Sequence, residues 1–164
     1  MGEKNTSLKV NIRRIPLTRG YEAIVDEDDY EQLSKNKWYA ASRLRQIYAT
    51  RHLDRNQISL MHREILGKIP EGYVVDHINR NGLDNRKKNL RICTVSENLL
   101  NRPKYRGHSQ YKGVSWHKKS QRWRATFRGK DIGWFLNEKE AAKCYDEAVS
   151  EYSEIGYQNG ITDA

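Results

Sequence analysis

Asp76 and His77 stand side by side in the stretch VVDHINRNGLDNRKKNLRICTVSENLLNR, and Asn89 and Asn98 follow them. An imidazole with an ordinary pKa of about 6.5 is mostly neutral at physiological pH and can accept a proton. The adjacent carboxylate, aimed to the other side of the chain, can hold a divalent cation. Mg²⁺ keeps most of its water and takes only one or two protein ligands beside phosphate oxygens. A carboxylate and an amide, Asp76 and Asn98, therefore suffice and leave net positive charge on the ion. Hydrolysis of a phosphodiester requires such a pair of functions: a base removes a proton from water, and a cation neutralises charge on the phosphate and the departing oxygen. An isolated Asp-His dipeptide more often forms an ion pair in a turn. The downstream asparagines set this one apart.

The surrounding pattern positions these groups. Val74-Val75 reads as the end of a buried strand that delivers Asp76 and His77 into a loop, and Asn89-Leu90-Arg91-Ile92 reads as a second strand. Thr94 with Glu97 makes a capping box that opens a helix, and Asn98 projects from its first turn. Asn79, Asn81-Gly82 and Asn85 suit a turn-rich loop, since Asn tolerates left-handed backbone. Asn101 reads as structural.

Strand, loop, strand and helix, with Asp-His at one end and Asn at the other, resemble the HNH or ββα-metal nuclease motif over about residues 73–101. The resemblance implies His77 as general base and Asp76 and Asn98 as ligands of a divalent metal, Mg²⁺ with Mn²⁺ able to substitute. It implies that Asn89 holds the loop and helps to orient His77 rather than touching metal. Family relatives often carry His-Arg on the preceding strand, which makes His62 and Arg63 supporting candidates, either structural or in contact with a phosphate. Mobile-element and phage homing endonucleases share this arrangement, so the implied partner is double-stranded DNA.

The composition agrees with such a partner. In 164 residues the formal net charge is +9, an excess that favours polyanions over any particular fold. Residues 98 to 130 hold 10 Lys and Arg and no Asp or Glu, whereas residues 131 to 164 hold 2 against 8. The basic run is interleaved with Tyr and Trp, which favours phosphate contact over a merely solvated face. No apolar run approaches the ~20 residues of a membrane span, and MGEKNTSLKV lacks the apolar core of a signal peptide. An intracellular protein without membrane contact or small-molecule cofactor is expected, cytoplasmic in a phage-infected host. Cys93 and Cys144 lack CxxC spacing, which argues against a disulfide framework or a structural zinc site.

Upstream, LKVNIRRIPL, YEAIV, KWYAAS, IYATRHL and ISLMHREIL read as short β segments interrupted by one helical piece, DDYEQLSKN. The acidic cluster Asp26-Glu27-Asp28-Asp29 invites a two-metal reading, but acids just before a helix more often cap it. Residues 102–110, RPKYRGHSQ, read as an extended basic linker that includes Lys104 and Arg106.

A second module starts at Tyr111. Period-two alternation predicts three antiparallel strands at about 112–118, 121–128 and 130–135. Asn137 then caps a helix whose apolar stripe, Ala141, Ala142, Tyr145, Ala148, Val149 and Tyr152, faces Trp123, Ala125 and Phe127. YKGVSW, RWRATF, IGWF and EAAKCYDEA resemble the DNA-binding domain of plant ethylene-response factors, the APETALA-two type. That resemblance implies a sheet lying in the major groove, with Lys112, Ser115, His117, Lys119, Arg122, Arg124, Arg128 and Lys130 on DNA. Ser115 and His117 stand where plant members carry Arg, and neither offers the bidentate fork that Arg presents to guanine.

The expected fold class is α+β: a small β-rich scaffold carrying the HNH motif, followed by a three-stranded antiparallel sheet packed on one helix. The expected division is a nuclease domain at 1–101, a linker at 102–110, a DNA-binding domain at 111–157 and a tail at 158–164. The expected activity is DNA cleavage by a one-metal HNH mechanism. A DNA-binding regulator with an inactive HNH fold is the first alternative, and an RNA-directed nuclease the second. Target sequence, nicking or double-strand cutting, and oligomeric state are left open by the sequence.

Overall fold

The computed structural model describes residues 11–43, 46–104, 107–152 and 157–160. The chain divides after Thr94 into two units. Both mix helices with small antiparallel sheets, the α+β class expected.

In the first unit β1 (Ile12–Pro16) pairs antiparallel with β2 (Glu22–Asp26), and α1 (Glu27–Ser34) follows directly. Strands β3 (Tyr39–Arg43), β4 (Gln46–His52) and β5 (Ile58–Leu60) form a three-stranded sheet with β4 central. Alternation along these strands buries one face of each, because successive side chains point to opposite sides. Ile15, Ala23, Val25, Ala40 and Ala49 thereby meet Leu33, Trp38 and Met61 in one core. The indole of Trp38 donates to the Leu33 carbonyl at 2.8 Å, so burying it leaves no polar orphan.

The segment ISLMHREIL departs from its expected strand. Only Ile58–Leu60 is β; Met61–Leu66 is a short helix, α2, ended by Gly67 at φ 70°. Met61 and Ile65, one turn apart, both reach the core. His62 and Arg63 consequently sit on a helix rather than on a strand.

Strand β6 (Tyr73–His77) pairs antiparallel with β7 (Leu90–Thr94). Asp76 and His77 are the last residues of β6, opposite Arg91 and Leu90, and not loop residues as the sequence reading had them. The acids Glu27, Asp28 and Asp29 lie in the first turn of α1, where the helix dipole favours negative charge. Asp26, in the capping position, makes no side-chain cap; its carboxylate accepts the Lys87 backbone N–H at 2.7 Å. Among the described residues no three His, Cys, Asp or Glu gather to hold a metal.

In the second unit α3 (Val95–Leu100) comes first. Strands β8 (Val114–His117), β9 (Arg122–Phe127) and β10 (Lys130–Phe135) then form an antiparallel sheet with β9 central, and α4 (Glu138–Tyr152) packs on it. Arg128 and Gly129, both at positive φ (50° and 78°), make the tight turn between β9 and β10. Asn137 accepts the Lys139 N–H at 2.7 Å and so caps α4. Val114, Ala125, Ala141 and Ala142 form the core of this module. No helix among the described residues is long and apolar enough to cross a membrane.

Candidate active site and nucleic-acid surface

The loop between β6 and β7 is built by its own polar side chains. Asn79 accepts the Asn81 N–H at 2.9 Å, and Asn81 accepts the Leu83 N–H at 3.1 Å, two successive Asx turns. Asn89 ties the ends together: its carbonyl oxygen Oδ1 accepts the Asn79 N–H at 2.9 Å, and its amide donates to the Asp84 carbonyl at 2.7 Å. Asp84, nearly inaccessible, accepts from Asn79 at 2.8 Å and from Arg86 at 2.6 and 2.5 Å. The Arg86 guanidinium accordingly holds the Asp84 carboxyl below its usual range.

The same loop is fastened to the scaffold. Ile24 donates to the Leu83 carbonyl at 2.8 Å and accepts the Asn85 N–H at 2.7 Å, extending β2 by one bridge. Gly82 lies flat on β4; a Cβ there would come within 2.5 Å of the Ile47 carbonyl and 2.7 Å of the Tyr48 ring. These contacts fix where β6 ends and hence where His77 stands.

His77 is 3% exposed. Its Nε2 lies 3.4 Å from the Asn85 side-chain oxygen Oδ1, and its ring meets the edge of His62 at 4.9 Å between centroids. Tyr48 closes the group at 5.8 Å from each histidine. Burial pushes the His77 pKa down, opposed by the Asn85 contact and the charges of Asp76 and Asp84. Burial, with smaller effects of His77 and Arg63, takes His62 down to about 3. Both rings are therefore held neutral at physiological pH, the form a proton acceptor needs. Beside this group a cleft of about 190 Å³ is lined by Arg43, Tyr48, His62 and Arg63.

Asp76 is buried, and the Arg91 guanidinium, directly opposite on β7, donates to its carboxylate. Arg91 is not among the expected site residues, and Asn85 is expected only as a turn residue. Strand register brings Arg91 to Asp76, and the loop path brings Asn85 to His77, so neither partner is marked by local spacing. Asn98 stands on α3 and is half-buried.

The second unit sorts the expected DNA contacts into two groups. Ser115, Arg124 and Trp134 are cross-strand partners, as are His117 and Arg122, so they share one face of the sheet. His117 meets Trp134 edge-on at 5.1 Å, and Arg124 lies 5.9 Å from the same ring. Arg122, Lys119, Lys130 and Trp134 are exposed. Trp134 is an addition to the expected set, because an exposed aromatic beside arginines is a stacking surface.

The other cations are engaged within the module. Lys104 donates to the Val114 carbonyl at 2.6 Å, and burial lowers its pKa. Lys112 donates to the carbonyls of Leu99, Leu100 and Arg102. Arg128 stacks on Tyr152 at 4.3 Å. Arg106 lies outside the described residues.

The paired β-ribbon bearing a buried Asp-His, the loop closed by asparagines and the short helix lie within residues 60–100, which match the family model described as HNH endonuclease. The match stops at residue 100. Two viral proteins are similar to this chain. Protein 3.8 of Escherichia phage T7 is 37% identical over 76 residues, 40% of this chain and 63% of that protein. An uncharacterised HNH endonuclease of Acanthamoeba polyphaga mimivirus is 36% identical over 89 residues, 51% of this chain and 45% of its own length. The chain thus spans less than two thirds of either relative. No solved structure matches.

Proposed function

We propose that this protein is a divalent-metal-dependent DNA endonuclease of the phage or mobile-element homing type, with His77 as general base. The observation that carries the reading is the setting of His77: a buried imidazole, kept neutral, at the strand end of an HNH domain and in contact with Asn85. The donors suit a hard cation, since a buried carboxylate and a side-chain amide offer only oxygen ligands. Asp76 and Asn98 would hold the ion, Mg²⁺ or Mn²⁺, which supplies positive charge at the scissile phosphate.

The chain's own residues do the rest. His77 takes a proton from the attacking water. Asn85 and the abutting His62 ring limit rotation of the imidazole, while Asn89 closes the loop behind it. Arg63, on the rim of the cleft beside His62, meets a neighbouring phosphate. The sheet of the second unit, similar in sequence to ethylene-response-factor domains, binds duplex DNA through Arg122, Arg124, His117 and Ser115, with Lys119 and Lys130 at its edge. The basic run and the absence of acids from 98 to 130 support that assignment.

The test is cleavage of supercoiled plasmid in Mg²⁺, Mn²⁺ or EDTA, beside His77→Ala. Nicking that needs metal and falls at least ~100-fold in the variant is expected, the usual scale for loss of a general base. Binding without cleavage in any metal points instead to a DNA-binding regulator with an inactive HNH fold. The Arg91 guanidinium on Asp76 favours that second reading, because it competes with a metal for the same carboxylate. Cleavage confined to RNA points to an RNA-directed nuclease.

A further inference from the structure

We propose that Lys112 is a positioning residue, which clamps the C-terminal end of α3 and thereby sets the orientation of Asn98. The inference rests on the reading of Asn98 as a metal ligand. Helix α3 has six residues, too few to hold itself in water, and its last carbonyls have no partners within the helix. Lys112 supplies them. Its ammonium donates to the Leu99 carbonyl at 3.0 Å and to those of Leu100 and Arg102 at 2.6 Å each. The Tyr157 N–H adds a bond to Leu100 at 2.9 Å. A cation at this end also complements the helix dipole.

The clamp is itself anchored. The Lys112 N–H donates to the Asn159 side-chain oxygen at 2.7 Å, and the Asn159 amide returns a bond to the Lys112 carbonyl at 3.2 Å. Asn159 is bound in turn to the Asp146 carboxylate on α4, through its backbone N–H at 2.7 Å and its side chain at 3.0 Å. A continuous series of bonds thus runs from α4 through Asn159 and Lys112 to the residue next to Asn98. An ammonium carries three N–H donors. Three carbonyls take them, so Lys112 works on α3 and not on a DNA phosphate. A shift of about 1 Å in a group that positions reactants costs about 100-fold in rate.

The experiment compares the wild type with Lys112→Gln, Lys112→Arg, Asn159→Ala, Asn98→Ala and the Asn98→Ala/Lys112→Gln double variant of the full chain. It reads single-turnover cleavage of duplex DNA in Mg²⁺, DNA affinity against salt in EDTA, and hydrogen exchange at the Asn101 and Arg102 amides. Lys112→Gln is expected to slow cleavage at least ~10-fold and to speed exchange at both amides, with the affinity and its salt dependence unchanged. Lys112→Arg restores most of the rate, Asn159→Ala shows a smaller loss, and the double variant is no slower than Asn98→Ala. The proposal is overturned if Lys112→Gln leaves amide exchange unchanged, or if it weakens binding and lowers the salt slope by about one, the signature of a lost phosphate contact. A wild type that cuts no duplex in any metal defeats the nuclease reading, while exchange and salt slope still decide whether Lys112 is the clamp.

Discussion

Two nitrogens of Arg91 converge on a single oxygen of Asp76, Nε at 2.9 Å and a terminal nitrogen at 2.5 Å. The two side chains are only 17% and 8% exposed. A buried pair of this kind is worth little over apolar residues, but breaking it by removing one partner strands a buried charge. Arg91→Met is therefore expected to cost about 3 kcal/mol in urea unfolding in EDTA, and Asp76→Asn/Arg91→Met to recover a large part of it. Additive losses in the double variant would show that the two groups act independently.

The paired histidines give the first unit a defined acid sensitivity. Folding holds His62 down at about 3 from 6.5 and lowers His77 in the same direction. The unfolded chain binds more protons than the native one below pH about 6.5, so stability rises with pH there. The contribution is fully present above pH about 6.5 and is lost as pH falls from there towards 3. Each histidine contributes a slope of at most about 1.4 kcal/mol per pH unit. Urea midpoints in EDTA should drop between pH 7 and pH 5, and His62→Gln should flatten that dependence. A midpoint independent of pH in this window contradicts the buried, neutral pair.

Much of this architecture is legible in the sequence because it is local. Period-two alternation placed β8, β9 and β10 within a residue or two, and Asn137 marked the start of α4. The apolar spacing of α4 likewise names Ala141, Ala142, Tyr145 and Val149, all buried, but also Tyr152, which is exposed. What escaped depends on pairs distant in the chain. Arg91 reaches Asp76 only through the register of β6 and β7. Asn85 looks like one more turn asparagine until the loop folds it against His77. Lys104 and Lys112 count as free cations in a charge tally, but folding directs both onto backbone carbonyls. The short helix α2 was hidden in an apolar run that fits a strand equally well, and only its packing decides between them.

Gly82 offers a test of how the scaffold fixes the site. An added Cβ would fall 2.5 Å from the Ile47 carbonyl, a backbone atom that cannot swing aside. Gly82→Ala should therefore lift the loop from β4, at a cost of about 1–3 kcal/mol for overpacking. Tyr48, the other neighbour, borders both histidines, so plasmid nicking should fall by more than the loss of folded protein explains. Thermal unfolding and the nicking rate, measured on the same preparation, separate the two effects. An unchanged rate in the folded variant would mean that the loop position does not govern His77.

The cations of the second unit should separate by their role in DNA binding. Arg122 is exposed, and Arg124, beside Trp134, has a terminal nitrogen 3.8 Å from the Asp131 carboxylate. Arg122 is open to a phosphate, Arg124 can exchange its long, half-exposed pair with Asp131 for one, and each phosphate contact contributes about 0.9 to the slope of log affinity against log salt. Arg122→Ala and Arg124→Ala should each lower that slope by about one and weaken binding to any duplex. Trp134→Ala should weaken binding with the slope unchanged, since stacking displaces no counterion. Arg128 lies 4.3 Å over the Tyr152 ring, so Arg128→Ala should lower thermal stability more than it alters the slope. Fluorescence anisotropy on a labelled duplex from 50 to 300 mM salt, roughly the range over which such slopes are read, supplies all four numbers. Equal slope changes at Arg122, Arg124 and Arg128 would mean that DNA follows the turn between β9 and β10 rather than the sheet face.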